Sequence, residues 1–138
     1  METFLAAKEQ ICITNSVVDE EIAFQYLQRK KTLFEPVRAT ILKNFAILKD
    51  FMTNQNMLEW VEPQGGCVCF PRIKDGIDVD AIKFHDILLR KYATYVGKGY
   101  WFEEDPRYIR IGYSWDTSEK LRKGLSNILK AIEEAMEI

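Results

Sequence analysis

The run Tyr108-Ile109-Arg110-Ile111-Gly112-Tyr113 places one arginine in a short, apolar, β-prone segment. A guanidinium in apolar surroundings is costly unless an anion or hydrogen-bond acceptor meets it. Arginine is also the side chain best shaped to hold a carboxylate through two parallel hydrogen bonds. Arg110 is therefore a candidate carboxylate clamp. From residue type alone, a salt bridge to a neighbouring helix or a place at a sheet edge serves as well.

Other residues are open to a chemical and a plain reading. The pair Gly65-Gly66 follows Pro63-Gln64. It suits a tight turn needing positive φ, or a backbone that comes close to a ligand. Cys67 and Cys69 share one face of an expected strand. With a single histidine in the chain they make no tetrahedral metal site, and they read as small core residues. His85 has no serine or cysteine partner at motif spacing and reads as a half-buried or surface helix residue. Tyr100-Trp101-Phe102 reads as sheet packing or a pocket wall. Glu103-Glu104-Asp105 and Arg29-Lys30-Lys31 read as solvated segments.

The elements that would position these residues follow from periodicity and punctuation. Glu2 to Ile11 reads as a short helix, broken at Cys12 to Asn15. Ser16 reads as the cap of a second helix that carries Ile22, Ala23, Tyr26 and Leu27. Leu33 to about Asn54 is the strongest helix. Phe34, Val37, Ile41, Phe45, Leu48 and Met52 form one stripe, and Pro36 sits in the expected first turn. Leu58 to Val61 and Cys67 to Phe70 read as two strands in antiparallel pairing. Asp78 is the expected cap of a helix from Val79 to about Tyr92, burying Ile82, Ile87, Leu88 and Tyr92. Ala93 to Val96 reads as a strand, and Gly97-Lys98-Gly99 as a loosened stretch. Tyr108 to Tyr113 is the last strand. Asp116-Thr117-Ser118-Glu119 then opens a terminal helix with Leu121, Leu125, Ile128, Ile132 and Ala135 or Met136 on one stripe. The order fits an α+β (α/β) sandwich, a small, mainly antiparallel sheet with helices on one face, preceded by a long helix.

Composition bounds the function. The chain has 138 residues, 47% hydrophobic and 12% aromatic, which suits one domain over 1–138 with a real core. Within it, 1–32 read as N-terminal helices and 33–138 as the core. A net charge of -2 argues against a dedicated nucleic-acid or membrane-surface binder. No apolar run is long enough to span a bilayer, and Met1-Glu2-Thr3 does not open a signal peptide. Three cysteines fit no disulfide framework, so a cytoplasmic location is expected.

Trp60-Val61-Glu62-Pro63-Gln64-Gly65-Gly66-Cys67-Val68-Cys69-Phe70-Pro71, then Tyr108 to Tyr113, then a long terminal helix, together resemble the C-terminal small domain of class I/II aminotransferases. These are fold-type-I enzymes dependent on pyridoxal phosphate. The long helix from Leu33 resembles the family's interdomain helix. The resemblance implies that Arg110 grips the substrate α-carboxylate of an amino acid or 2-oxo acid. It also implies that Gly66 lines the substrate pocket. A clamp of this kind would fix the substrate so that its Cα–H bond can align with the cofactor.

The same resemblance implies that the pyridoxal phosphate lysine, the acid that holds the pyridine nitrogen, and the phosphate cradle lie elsewhere. Pyridoxal phosphate would serve the intact enzyme, none is expected bound to this chain alone, and transamination by the chain alone is not expected. The implied partner is the missing large, cofactor-binding domain, met by the apolar Phe4, Leu5, Ile11, Val17 and Val18. A homodimer is a further option. A different class of function is a standalone, non-enzymatic module that binds small carboxylates or self-associates. A third is a complementing subunit whose partner polypeptide carries the lysine. The amino acid preferred by such an enzyme is not legible.

Overall fold

The computed structural model describes residues 2–11 and 16–136. The expected break at Cys12 to Asn15 lies outside them. The chain divides into two compact units, Met1–Arg38 and Ala39–Ile138.

In the first unit, α1 spans Glu2–Ile11 and α2 spans Val17–Gln28. Ser16 caps α2 as expected, its hydroxyl accepting from the Asp19 amide at 3.4 Å. Nothing in α2 is buried. After Arg29 the chain re-enters a helix at once, and α3 runs Lys30–Asn54. It therefore starts three residues before the expected Leu33, and Pro36 falls in its second turn rather than its first. Proline has no amide hydrogen to give Thr32, yet the helix continues through it.

The second unit holds the core. The later part of α3 supplies Ile47, Leu48 and Met52, while Phe34 and Val37 of the expected stripe are exposed. Then follow β1 (Leu58–Glu59), β2 (Val68–Cys69), β3 (Arg72–Ile73), α4 (Ala81–Arg90), β4 (Gly97–Lys98), the 3-10 turn Gly99–Phe102, β5 (Ile109–Gly112) and α5 (Ser118–Met136). All strand pairs are antiparallel. The sheet order is β2-β5-β4, with β1 on β3.

The expected hairpin between Leu58–Val61 and Cys67–Phe70 does not form. Leu58 pairs with Ile73, and Cys69 with Ile111. Each of these pairs joins two buried side chains. Register follows burial, because a one-residue slip would turn every apolar side chain outward. The ladder also continues past Pro71, whose carbonyl accepts from the Ile109 amide at 2.9 Å. The fourth strand is Gly97–Lys98 rather than Ala93–Val96.

α4 is capped by Asp80, not Asp78. Its carboxylate accepts from the Ile82 and Lys83 amides at 2.9 and 3.0 Å. Phe84 and Leu88 face the core and Ile82 is exposed, so the stripe is rotated from the expected one. α5 buries Leu121, Leu125, Ile128, Ile132 and Ala135 as expected, and Met136 stays exposed. α4 and α5 pack together against the face of β5 that carries Ile109 and Ile111. The fully buried Asn44 ties α3 to the end of β5. Its amide donates to the carbonyls of Tyr113 and Asp116 at 2.9 Å each, and its oxygen accepts from the Ser118 hydroxyl at 2.9 Å.

Candidate functional site

β5 is the middle strand of its sheet, and burial alternates along it: Ile109 and Ile111 in, Arg110 and Gly112 out. Alternation answers the desolvation problem that the apolar sequence posed. Arg110 keeps its neighbours' strand but points to the face that α4 and α5 leave open.

Two neighbours shape it there. Gly97 of β4 pairs directly with Arg110. A Cβ on Gly97 would lie 3.0 Å from the Arg110 Cβ and 3.2 Å from its Nε, so glycine lets the arginine stem lie flat across β4. The stretch read as loosened chain is thus the floor of the site. From there the guanidinium reaches the Phe102 ring, with Cζ 5.2 Å from the ring centroid. Among the described residues no carboxylate pairs with Arg110.

Phe102 stands edge-on to Phe70, centroids 5.3 Å apart, and Phe70 stacks on Tyr108 at 5.1 Å. Arg72 lies over Tyr108 at 5.6 Å and is itself engaged by Glu59 and Asp75. A continuous row of rings and cations therefore runs along the open face. Its members were visible in the sequence singly; their adjacency depends on pairing across strands.

Gly66 adopts φ +91° and is exposed, with no atom within 4 Å of a would-be Cβ. Only backbone conformation favours glycine there. Its carbonyl accepts from the Tyr113 hydroxyl at 3.1 Å. Tyr113, the β5-side partner of that bond, lies three residues from Arg110, which is roughly 10 Å along a strand. Gly66 and Arg110 thus flank the same sheet without touching through β5.

His85 is half-buried on α4, and burial, helped by the nearby Lys98 ammonium, lowers its pKa below the usual 6.5. Cys69 is buried and its thiol is pushed up to about 12, mainly by desolvation, whereas Cys67 is exposed. Cys12 lies outside the described residues. Among the described residues no group of three or more His, Cys, Asp or Glu could hold a metal. A cavity of about 400 Å³ between residues 92–96, β5 and α5 includes neither Arg110 nor Gly66. The candidate site is an open sheet face, not a closed pocket.

No family model matches this chain. Aromatic-amino-acid aminotransferase 1 of Thermococcus litoralis is 21% identical over 140 residues, covering 94% of this chain and 32% of that protein. A pyridoxal-phosphate-dependent aminotransferase from Streptococcus suis superposes with a TM-score of 0.74 at 23% identity, covering 93% of this chain and 33% of the other. The kynurenine aminotransferase of Pyrococcus horikoshii gives 0.77 at 16% identity, covering 96% and 34%. This chain has the fold of an aminotransferase C-terminal domain. It spans about a third of the length of the relatives it matches.

The Streptococcus suis aminotransferase depends on pyridoxal phosphate. The described residues of this aminotransferase-like domain do not fit that cofactor. Lys98, the lysine of the three-stranded sheet, lines a crevice with His85 and Leu88, on the side away from Arg110. The N-terminus of α4 is filled by the Asp80 carboxylate, and that of α5 by the Thr117 hydroxyl, which accepts from the Lys120 amide at 3.3 Å. Neither end is left open for a phosphate. No helix among the described residues is long and apolar enough to cross a membrane.

Proposed function

We propose that this chain is the substrate-clamping domain of a pyridoxal-phosphate-dependent amino-acid aminotransferase, with Arg110 gripping the α-carboxylate of an amino acid or 2-oxo acid. One observation carries the reading: Arg110 stands on the open face of a central strand, laid across Gly97, with no carboxylate partner among the described residues. An arginine held this way has its donor edge available for a ligand. The clamp orients the substrate, and a cofactor-binding part supplies the lysine chemistry. Gly66, exposed and at positive φ in the turn before β2, is the proposed lining of the substrate pocket. The cofactor-binding part, on the same or another polypeptide, is the proposed partner.

Pyridoxal phosphate added to the purified chain, followed by borohydride trapping and mass spectrometry, tests the division of labour. The expected result is no stoichiometric adduct at any single lysine. One specifically trapped lysine, with an absorbance change on adding an amino acid, would overturn it.

A second reading is a standalone module that binds carboxylates or self-associates. It is favoured by the exposed Phe4, Val17 and Phe34 of the first unit. Sedimentation of the purified chain tests the self-association: a concentration-dependent dimer supports it, and a monomer at all concentrations removes it.

A further inference from the structure

We infer that Phe102 is a positioning residue that holds the Arg110 guanidinium in the plane from which it receives a carboxylate. The inference rests on the clamp role proposed for Arg110 and adds the part that keeps the clamp in shape.

A strand arginine on an open face has several rotatable bonds and is mobile unless something fixes it. Here two surfaces do. Gly97 removes the side chain that would lift the stem off β4. Phe102 then meets the guanidinium at 5.2 Å. At that distance the cation lies within range of attraction by the ring. A ring is no carboxylate, so the contact leaves the N–H donors without a competing anion. The arrangement restrains orientation while keeping the fork free for bidentate binding.

Phe102 is itself restrained. It stands edge-on to Phe70 with an interplanar angle of 73°, and Phe70 stacks on Tyr108 at 21°. Tyr108 belongs to the segment that leads into β5 and pairs with Arg72 in an isolated bridge. From Arg110 the row of rings thus returns to Tyr108, the residue just ahead of the strand that carries Arg110. Phe102 is only 41% exposed although it ends a surface turn. The 3-10 turn closes at Glu103 with φ +60°, a left-handed conformation that costs energy in a non-glycine residue. The turn is tied to the segment leading into β5 by the Gly99 amide, which donates to the Tyr108 carbonyl at 2.9 Å.

Nitrogen-15 NMR on the full chain tests this directly, with the Arg110 Nε–Hε signal assigned by its loss in Arg110→Lys. In Phe102→Leu the signal should move toward that of a free arginine as the ring current disappears. Its heteronuclear NOE should fall, and Phe102→Tyr should preserve both. Pyruvate titration should then show affinity at Arg110 weakened roughly two- to fivefold in Phe102→Leu, the size expected of a partly exposed cation–π contact. An Arg110 signal unchanged in Phe102→Leu overturns the positioning role. So does a changed signal with unchanged pyruvate affinity. If pyruvate leaves the wild-type Arg110 signal in place, the carboxylate reading itself fails, while the ring-current comparison still decides whether Phe102 fixes the side chain.

Discussion

Helices α2 and α5 make opposite use of apolar residues. α2 carries Val17, Val18, Ile22, Phe24, Tyr26 and Leu27, and none of them is buried within its unit. α5 is less apolar overall, yet it buries Leu121, Leu125, Ile128, Ile132 and Ala135 along one side. What matters is arrangement. α5 gathers its apolar residues into a stripe that a sheet can cover, whereas α2 spreads them around its circumference. A helix of the second kind presents apolar surface in several directions, as a surface made for a further partner does.

The comparison is most sharply tested by paired truncations. Phe84→Ala empties a fully buried site in the second unit and should cost about 3–5 kcal/mol of unfolding free energy. Urea unfolding followed by tryptophan fluorescence would measure it. A loss below about 1 kcal/mol would mean that this core is not packed as described. Asn44→Ala should cost about 1–3 kcal/mol, because it strips the donor from two carbonyls at the α3–β5 junction.

A pH series probes a half-buried group of the second unit. His85 has its pKa lowered in the folded chain, so the unfolded chain binds the proton more readily. Its contribution is present above 6.5 and is lost as the pH falls through 6.5 toward the lower, folded pKa. Stability measured from pH 8 to pH 5 should therefore decline on the acid side, and His85→Gln should flatten that decline. An unchanged slope in the variant would assign the decline to other groups.

The smallest effect is expected in the first unit. Phe24→Ala should change unfolding free energy by no more than about 0.5 kcal/mol, since the ring is 52% exposed. It should also weaken any self-association seen by sedimentation. A large stability loss would mean that α2 is covered in solution and would dissolve the contrast with α5.

Much of the local structure was legible. Ser16 announced α2, and the spacing from Leu121 to Ala135 announced the buried side of α5. Each is a local signal, decided by side chains within a turn or two of one another. The failures came where a choice between nearby options depended on packing. Asp78 and Asp80 are both good caps, and the fit of Phe84 and Leu88 into the core selects Asp80. Leu58–Val61 could have paired with Cys67–Phe70, but matching buried partners lie on β3 and β5.

The candidate site divides in the same way. The sequence by itself determined that an arginine would stand in a strand ahead of a long amphipathic helix, because alternation and helical period are properties of neighbouring residues. It also determined that Gly66 could take positive φ. Only the tertiary structure decided that β5 would be the central strand, that α4 and α5 would cover the face opposite Arg110, and that Gly97 and Phe102 would become its floor and its wall. Strand order and register are set by which distant segments bury their apolar faces together, and no local pattern carries that information.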